Sequence, residues 1–170
     1  MTRPNKHMYY LNIAHEVAKR GTCLRRNYGA VIVNNDQIVS TGYTGAPRGL
    51  PNCTDRGTCL REELKVKPGE NYELCRSVHA EMNACLQTGR EKCIGAALYL
   101  EMIESPKDNG MIEGSPRIIP EPCRMCKRVI INCGITTVVT KGIEAKAVGN
   151  REWVVVTYVK EWIDTNLYEL

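Results

Sequence analysis

No apolar run in this 170-residue chain approaches the roughly 20 residues needed to span a bilayer. Behind Met1-Thr2-Arg3-Pro4-Asn5-Lys6 there is no apolar stretch of the signal-peptide kind. The expectation is a cytoplasmic protein with no membrane partner. Lys and Arg are scattered, and no dense basic tract or basic helix stands out, so no polymeric nucleic acid is expected as substrate. The net charge of +4 suits a small phosphorylated ligand instead. Internal repeats and low-complexity tracts are absent. Histidine is scarce, at three residues, and only one C-x-x-C occurs. A closed four-cysteine zinc site would want a second pair. With 43% hydrophobic and 25% charged residues, the chain reads as one globular domain over 1–170.

Against that background nine cysteines are abnormal. In a cytosolic protein they are not expected to form disulfides, and the odd count argues the same way. Some pack as small hydrophobes, and the rest are candidate metal ligands.

Periodicity predicts a helix over 5–20, from Met8, Leu11, Ala14 and Ala18, stopped by Gly21. Gly29–Val33 reads as a buried strand, Asn34-Asn35-Asp36 as a turn, and Gln37–Ser40 as the partner strand of a hairpin. Residues 43–76 are broken by Pro and Gly, with one helical turn expected at Arg61–Lys65. Ser77 looks like the N-cap of a helix reaching Gly89. A strand at Ala96–Leu100 follows, then a Pro-rich loop at 104–121, a helix Cys123–Cys133 ended by Gly134, and a strand Ile135–Val139. Trp153–Tyr158 reads as a last strand before a terminal segment around Trp162. This order predicts a mixed sheet with helices packed on it.

Cys123 and Cys126, directly after Pro122, are i, i+3 at a helix start, which puts both sulfurs on one side of the first turn. The helix N-terminus favours thiolate, the form that binds metal. With no second cysteine pair, the third ligand has to come from elsewhere, and His79 is the best candidate. Glu81 stands two positions on. On a regular helix these two would point about 200° apart, so His79 has to lie at an irregular first turn, and a Ser77 cap would place it there. One imidazole and two thiolates leave the fourth position of a tetrahedral zinc open to a water, whose pKa falls toward neutrality. Glu81 can take its proton and return it to a leaving nitrogen. A lone His at a helix start is usually structural, and a lone C-x-x-C can be a redox pair. Jointly, H-x-E and P-C-x-x-C form the signature of zinc-dependent base deaminases.

The chain resembles the deoxycytidylate deaminase branch of the cytidine deaminase superfamily from about residue 8 to 140. The likeness rests on Cys23-Leu24-Arg25, Gly29–Val33, Gly42-Tyr43-Thr44-Gly45-Ala46-Pro47-Arg48-Gly49, Val78-His79-Ala80-Glu81-Met82-Asn83-Ala84, and the stretch from Pro122-Cys123 to Gly134-Ile135. The resemblance implies a three-layer α/β/α fold with a mixed central sheet of about five strands. It also implies hydrolysis of dCMP to dUMP, feeding dTMP synthesis, with Glu81 as the catalytic proton shuttle and His79, Cys123 and Cys126 on zinc. It further implies a homo-oligomer, hexamer or dimer, under dCTP and dTTP control, with Mg2+ accompanying a nucleotide effector. Substrate contacts are expected from Ala80, Thr44, Arg26 and Arg48.

Three features depart from the family pattern. Thr44 stands where the family loop has Asn, and its hydroxyl is shorter and has a single donor. His79 and Cys123 lie 44 positions apart, longer than usual. The excess is the loop 104–121, expected to cover the pocket or meet a neighbouring subunit. The tail 150–170 carries no assigned role. Cys23, Cys59 and Cys75, with Cys53 next, are candidate ligands of a second, structural zinc that would pin loop 43–76; core packing is the competing reading. Cys85, Cys93 and Cys133 read as packing. Arg25, Arg124 and Arg128 are further phosphate candidates, and Tyr43 and Tyr99 are aromatic candidates for base stacking with core packing as the default. The alternatives are a deaminase of cytidine, guanine or a pterin-like ring, a zinc module without catalysis, and a C-x-x-C redox protein.

Overall fold

The Asn5 side chain accepts a hydrogen bond from the Met8 amide at 2.8 Å and opens helix α1 (Lys6–Ala18). The chain then forms the hairpin β1 (Arg26–Asn34) and β2 (Gln37–Tyr43). Asn35 and Asp36 both have positive φ, 48° and 65°, as a two-residue hairpin turn requires. The computed structural model describes residues 3–67, 70–104, 119–146 and 149–165. Within 43–76 it shows short turns of helix, α2 (Cys53–Arg56), α3 (Leu60–Glu63) and a 3-10 turn at Tyr72–Leu74. Next come α4 (Ala80–Thr88), α5 (Arg90–Cys93), β3 (Ala97–Glu104), α6 (Arg124–Cys133), β4 (Thr137–Lys146), β5 (Gly149–Tyr158) and α7 (Val159–Asp164). Among the described residues no helix is long and apolar enough to cross a membrane.

The five strands form one mixed sheet in the order β2-β1-β3-β4-β5. β3 and β4 are parallel and α6 lies in the crossover between them, since parallel neighbours cannot be joined by a tight turn. All other pairs are antiparallel. The continuous apolar run of β1 is explained by burial on both faces. Ala30 and Ile32 point to a core shared with Ala84, Leu98, Ile130 and Trp162. Val31 and Val33 point the other way, to a core with Leu11, Ala14, Tyr99 and Val139. Helix α1 therefore covers one face, and α4, α6 and α7 cover the other.

One expectation changes. Ser77 does not cap α4; the N-cap is His79 itself (φ −72°, ψ 152°), and the helix starts at Ala80. The tail is part of the fold as far as residue 165, because β5 pairs along β4 and Trp162 is buried in the core. Of loop 104–121, residues 105–118 lie outside the described residues.

Candidate metal and catalytic site

His79 is held in place from both sides. Before it, Val78 and Gly45 exchange backbone hydrogen bonds (2.8 and 3.2 Å) as an isolated antiparallel bridge. This bridge keeps the chain extended up to His79, and the helix begins only at the next residue. After it, α4 is seated on β2. A Cβ on Gly42 would lie 2.3 Å from the Ala80 carbonyl oxygen and 2.4 Å from the Ala84 amide, so only glycine allows this approach. Asn83 Nδ2 donates to the Tyr43 carbonyl at 2.8 Å, and Ser40 Oγ donates to the Ala84 carbonyl at 2.7 Å. The His-Ala-Glu-x-Asn-Ala run is thus a docking device as well as a chemical motif.

Cys123 is likewise a cap residue (φ −65°, ψ 166°), and α6 runs from Arg124 to Gly134, which closes it at φ 78°. Pro122 is buried and Glu121 pairs with Lys127, folding the incoming chain onto the first turn. Lys127 also lies 5.0 Å over the Trp162 ring, so the tail braces this helix.

These two helix starts meet. His79 Nδ1 lies 3.5 Å from Cys123 Sγ and 3.4 Å from Cys126 Sγ. All three ligand atoms fall within 4.8 Å of one another. Tetrahedral zinc with Zn–S near 2.3 Å and Zn–N near 2.1 Å would set N···S at about 3.6 Å. The donor set and its spacing therefore fit the ion. Cys126 and His79 hold the Cys123 thiol down, to about 4, whereas the adjoining Cys123 and burial push Cys126 up. The hydrogen bond with Cys123 raises His79. Glu81 is 4% exposed, and burial pushes its carboxyl above the usual range. An N-cap followed by two helical residues brings His79 and Glu81 to one place, which resolves the angular conflict of i, i+2.

The cage opens on a cavity lined by Arg25, Arg26, Tyr28, Thr44, Arg61 and Glu121, among others. Thr44 is buried; its Oγ accepts the Tyr28 amide at 3.1 Å. Arg48 is exposed and does not line the cavity, and neither do Arg124 and Arg128. Ala80 packs in the core and is not among the residues lining the cavity. Tyr99 packs on Tyr10 across the sheet, ring centroids 4.9 Å apart, so core packing is its role; Tyr43 is also outside the cavity.

Tyr28, Arg61, Tyr72 and Glu121 were not legible as site residues. Arg61 is only 5% exposed, donates to the Lys67 and Asn71 carbonyls, and lies 4.6 Å from the Tyr72 ring centre. Tyr72 in turn meets the His79 ring edge-on at 5.3 Å. Nothing in the local sequence distinguishes Arg61 from the surface charges beside it. Cys23, Cys59 and Cys75 line the same cavity, but among the described residues they do not close into a metal-sized triad; Cys85, Cys93 and Cys133 do.

A family model described as the cytidine and deoxycytidylate deaminase zinc-binding region matches residues 4–141. The deoxycytidylate deaminase of Mycobacterium phage D29 is 37% identical over 144 residues, covering 82% of this chain and 96% of its own. That of Schizosaccharomyces pombe is 34% identical over 139 residues, and the chain spans only 37% of its length. Among solved structures, the dCMP deaminase of cyanophage S-TIM5 in complex with dCMP and dUMP has the same fold, at TM-score 0.55 and 23% identity. The match covers 81% of this chain and 82% of that one. The matched region contains both helix starts that build the cage, and the chain belongs to the cytidine and deoxycytidylate deaminase zinc-binding family.

Proposed function

We propose that this chain deaminates dCMP to dUMP, consuming water and releasing ammonia. The observation that carries the reading is Glu81, a carboxyl buried beside a His-Cys-Cys cage at the floor of an arginine-lined cavity. His79, Cys123 and Cys126 would hold zinc, which lowers the pKa of water toward neutrality. Glu81 Oε accepts the proton that leaves the water oxygen and delivers a proton to the amino nitrogen. The C4–O bond forms first, as N3 takes up the first proton; the C4–N bond then breaks as the second water proton reaches the amino nitrogen, the amine departs as ammonia, and the new oxygen becomes the C4 carbonyl of dUMP. Burial suits this shuttle, because it raises the Glu81 carboxyl from its ordinary value and so lets it hold a proton between the two transfers.

Around the base, the Ala80 amide belongs to the first turn of α4 and has no partner within the helix, so it is a donor for the substrate. Thr44 accepts from the backbone with its hydroxyl oxygen and keeps its own hydrogen to donate. Arg25 and Arg26 are the candidate phosphate ligands, since a planar guanidinium suits phosphate. The same reading extends to a homo-oligomer that responds to dCTP and dTTP, with Mg2+ accompanying the triphosphate. It also holds Cys23, Cys59 and Cys75, with Cys53, as donors of a second zinc.

Ammonia release measured side by side on dCMP, cytidine, guanine and dCTP tests the substrate. Turnover is expected on dCMP well above that on cytidine. Equal rates on the two would remove the phosphate from the specificity, and activity on guanine alone would overturn the cytosine assignment.

A further inference from the structure

The structure assigns a further thiophilic cation site, apart from the cage and the cavity-wall cysteines, to Cys85, Cys93 and Cys133, at the opposite end of the α4–α6 helix pair from the cage. The three sulfurs come from three helices and lie within 4.8 Å of one another. Among the described residues only one other group of metal-ligating side chains closes this tightly, and it is the cage of His79, Cys123 and Cys126. Tetrahedral coordination with bonds near 2.3 Å sets S···S at about 3.8 Å. The thiols therefore need to draw in by an ångström at most.

Electrostatics selects a cation. Cys85 is in the last turn of α4, Cys93 is the last residue of α5, and Cys133 is the last residue of α6. The carboxyl ends of the nine-residue α4 and the ten-residue α6 carry partial negative charge, which attracts positive ions. Softness selects the kind: three sulfurs and no oxygen ligand favour zinc, cadmium or monovalent copper over magnesium or calcium. Cys85 and Cys93 are buried at 4% and 0% exposure, while Cys133 is half-buried and opens the route to solvent. As each sulfur–metal bond forms, the S–H proton leaves to water, and a solvent molecule on the Cys133 side completes the coordination.

Its consequence is mechanical. Cys126 and Cys133 sit seven residues apart on α6, about 10 Å along the axis. Cys85 lies four residues beyond Glu81 on α4. Two helices whose starts are joined at the cage would also be joined at their ends. A metal at the thiol triad is a brace that ties the far ends of α4 and α6 together and adds stability, and it takes no part in the chemistry.

The test is total metal per chain, zinc plus cadmium, after the zinc-loaded protein is titrated with Cd2+ and desalted. The wild type is expected to hold one more equivalent than Cys133→Ser and than Cys85→Ala, with matching sulfur-to-cadmium absorption. Deamination by the two variants is expected to stay at the wild-type rate. The Cd2+-loaded wild type should melt higher than the zinc-loaded form, and Cys133→Ser should not. The triple variant Cys23→Ser, Cys59→Ser, Cys75→Ser should still lose one equivalent when Cys133→Ser is added to it, which separates the triad from the cavity wall. Equal metal content in wild type and both variants would overturn the site, as would a disulfide among these cysteines in the isolated protein.

Discussion

In the proposed reaction Glu81 is the residue on which the chemistry turns. It is buried in the first turn of α4, and its side chain interacts with Cys126. Glu81→Gln keeps the shape and removes the proton shuttle. Zinc content should stay at the wild-type level while kcat falls by roughly 10²–10⁴-fold. Unchanged turnover with zinc in place would refute the proton-transfer role. Thr44 is a second residue whose part is now defined. The resemblance left it as a substitute for an Asn, with a shorter reach. In the fold its hydroxyl closes the Tyr28 backbone amide, so Thr44→Val leaves a buried donor unpaired at a cost of about 1–3 kcal/mol. Thermal unfolding should register that loss even before any effect on KM is read.

At the scale of elements, the site is a meeting of two helix starts. Both metal-facing positions outside the helices, His79 and Cys123, are N-caps in extended conformation. Ser77 has the composition of a cap, and local sequence favours it there. The bridge between Gly45 and Val78 overrides that preference by holding two more residues extended. Seating of α4 depends on Gly42. Gly42→Ala would push the new methyl into the Ala80 carbonyl, between the metal ligand and the proton shuttle. Both stability and zinc affinity should drop, measurable as a lower Tm and as faster loss of zinc to a chelator. A variant with normal zinc retention would show that α4 can shift without disturbing the cage. Asn83→Ala, which loses one hydrogen bond to the Tyr43 carbonyl, should cost about 1 kcal/mol by denaturant unfolding.

At the scale of the whole molecule, the sheet carries a buried carboxyl unrelated to the site. Glu101 on β3 is 2% exposed, and Lys141 Nζ on β4 lies 3.3 Å from its Oε1. Burial outweighs that neighbour and raises the Glu101 carboxyl above its ordinary value of 4.5. A group whose pKa rises on folding contributes stability below its unfolded value and loses that contribution as pH climbs through the folded value. Glu101→Gln cannot titrate. The Tm of the wild type minus that of Glu101→Gln should therefore shrink as pH rises from about 4 to about 7. A difference that grows over the same window would mean that Lys141 dominates and the carboxyl is lowered. Chelation tests the molecule differently. Stripping the ion from the cage removes the link between α4 and α6, so Tm should fall and activity should return only on adding zinc.

Most of the architecture was legible because it is written in short-range terms. Helical spacing in α1, β-branched runs in β1 and β4, a turn at Asn34-Asn35-Asp36 and Gly134 after α6 each state their own local geometry. The clustering of His79, Cys123 and Cys126 was legible too, since H-x-E and P-C-x-x-C specify both residue types and a helix start for each. Three-dimensional packing alone decided the rest. Whether His79 caps or follows a cap depends on a bridge to Gly45, more than thirty residues upstream. Whether Arg61 is a surface charge or a buried wall of the cavity depends on how the following loop folds back to present the Lys67 and Asn71 carbonyls. Nine cysteines look alike in a string. Separating a catalytic pair, a cavity wall and a thiol triad required the helices to be brought side by side, because sulfur's chemistry depends on which other donors stand within a few ångströms.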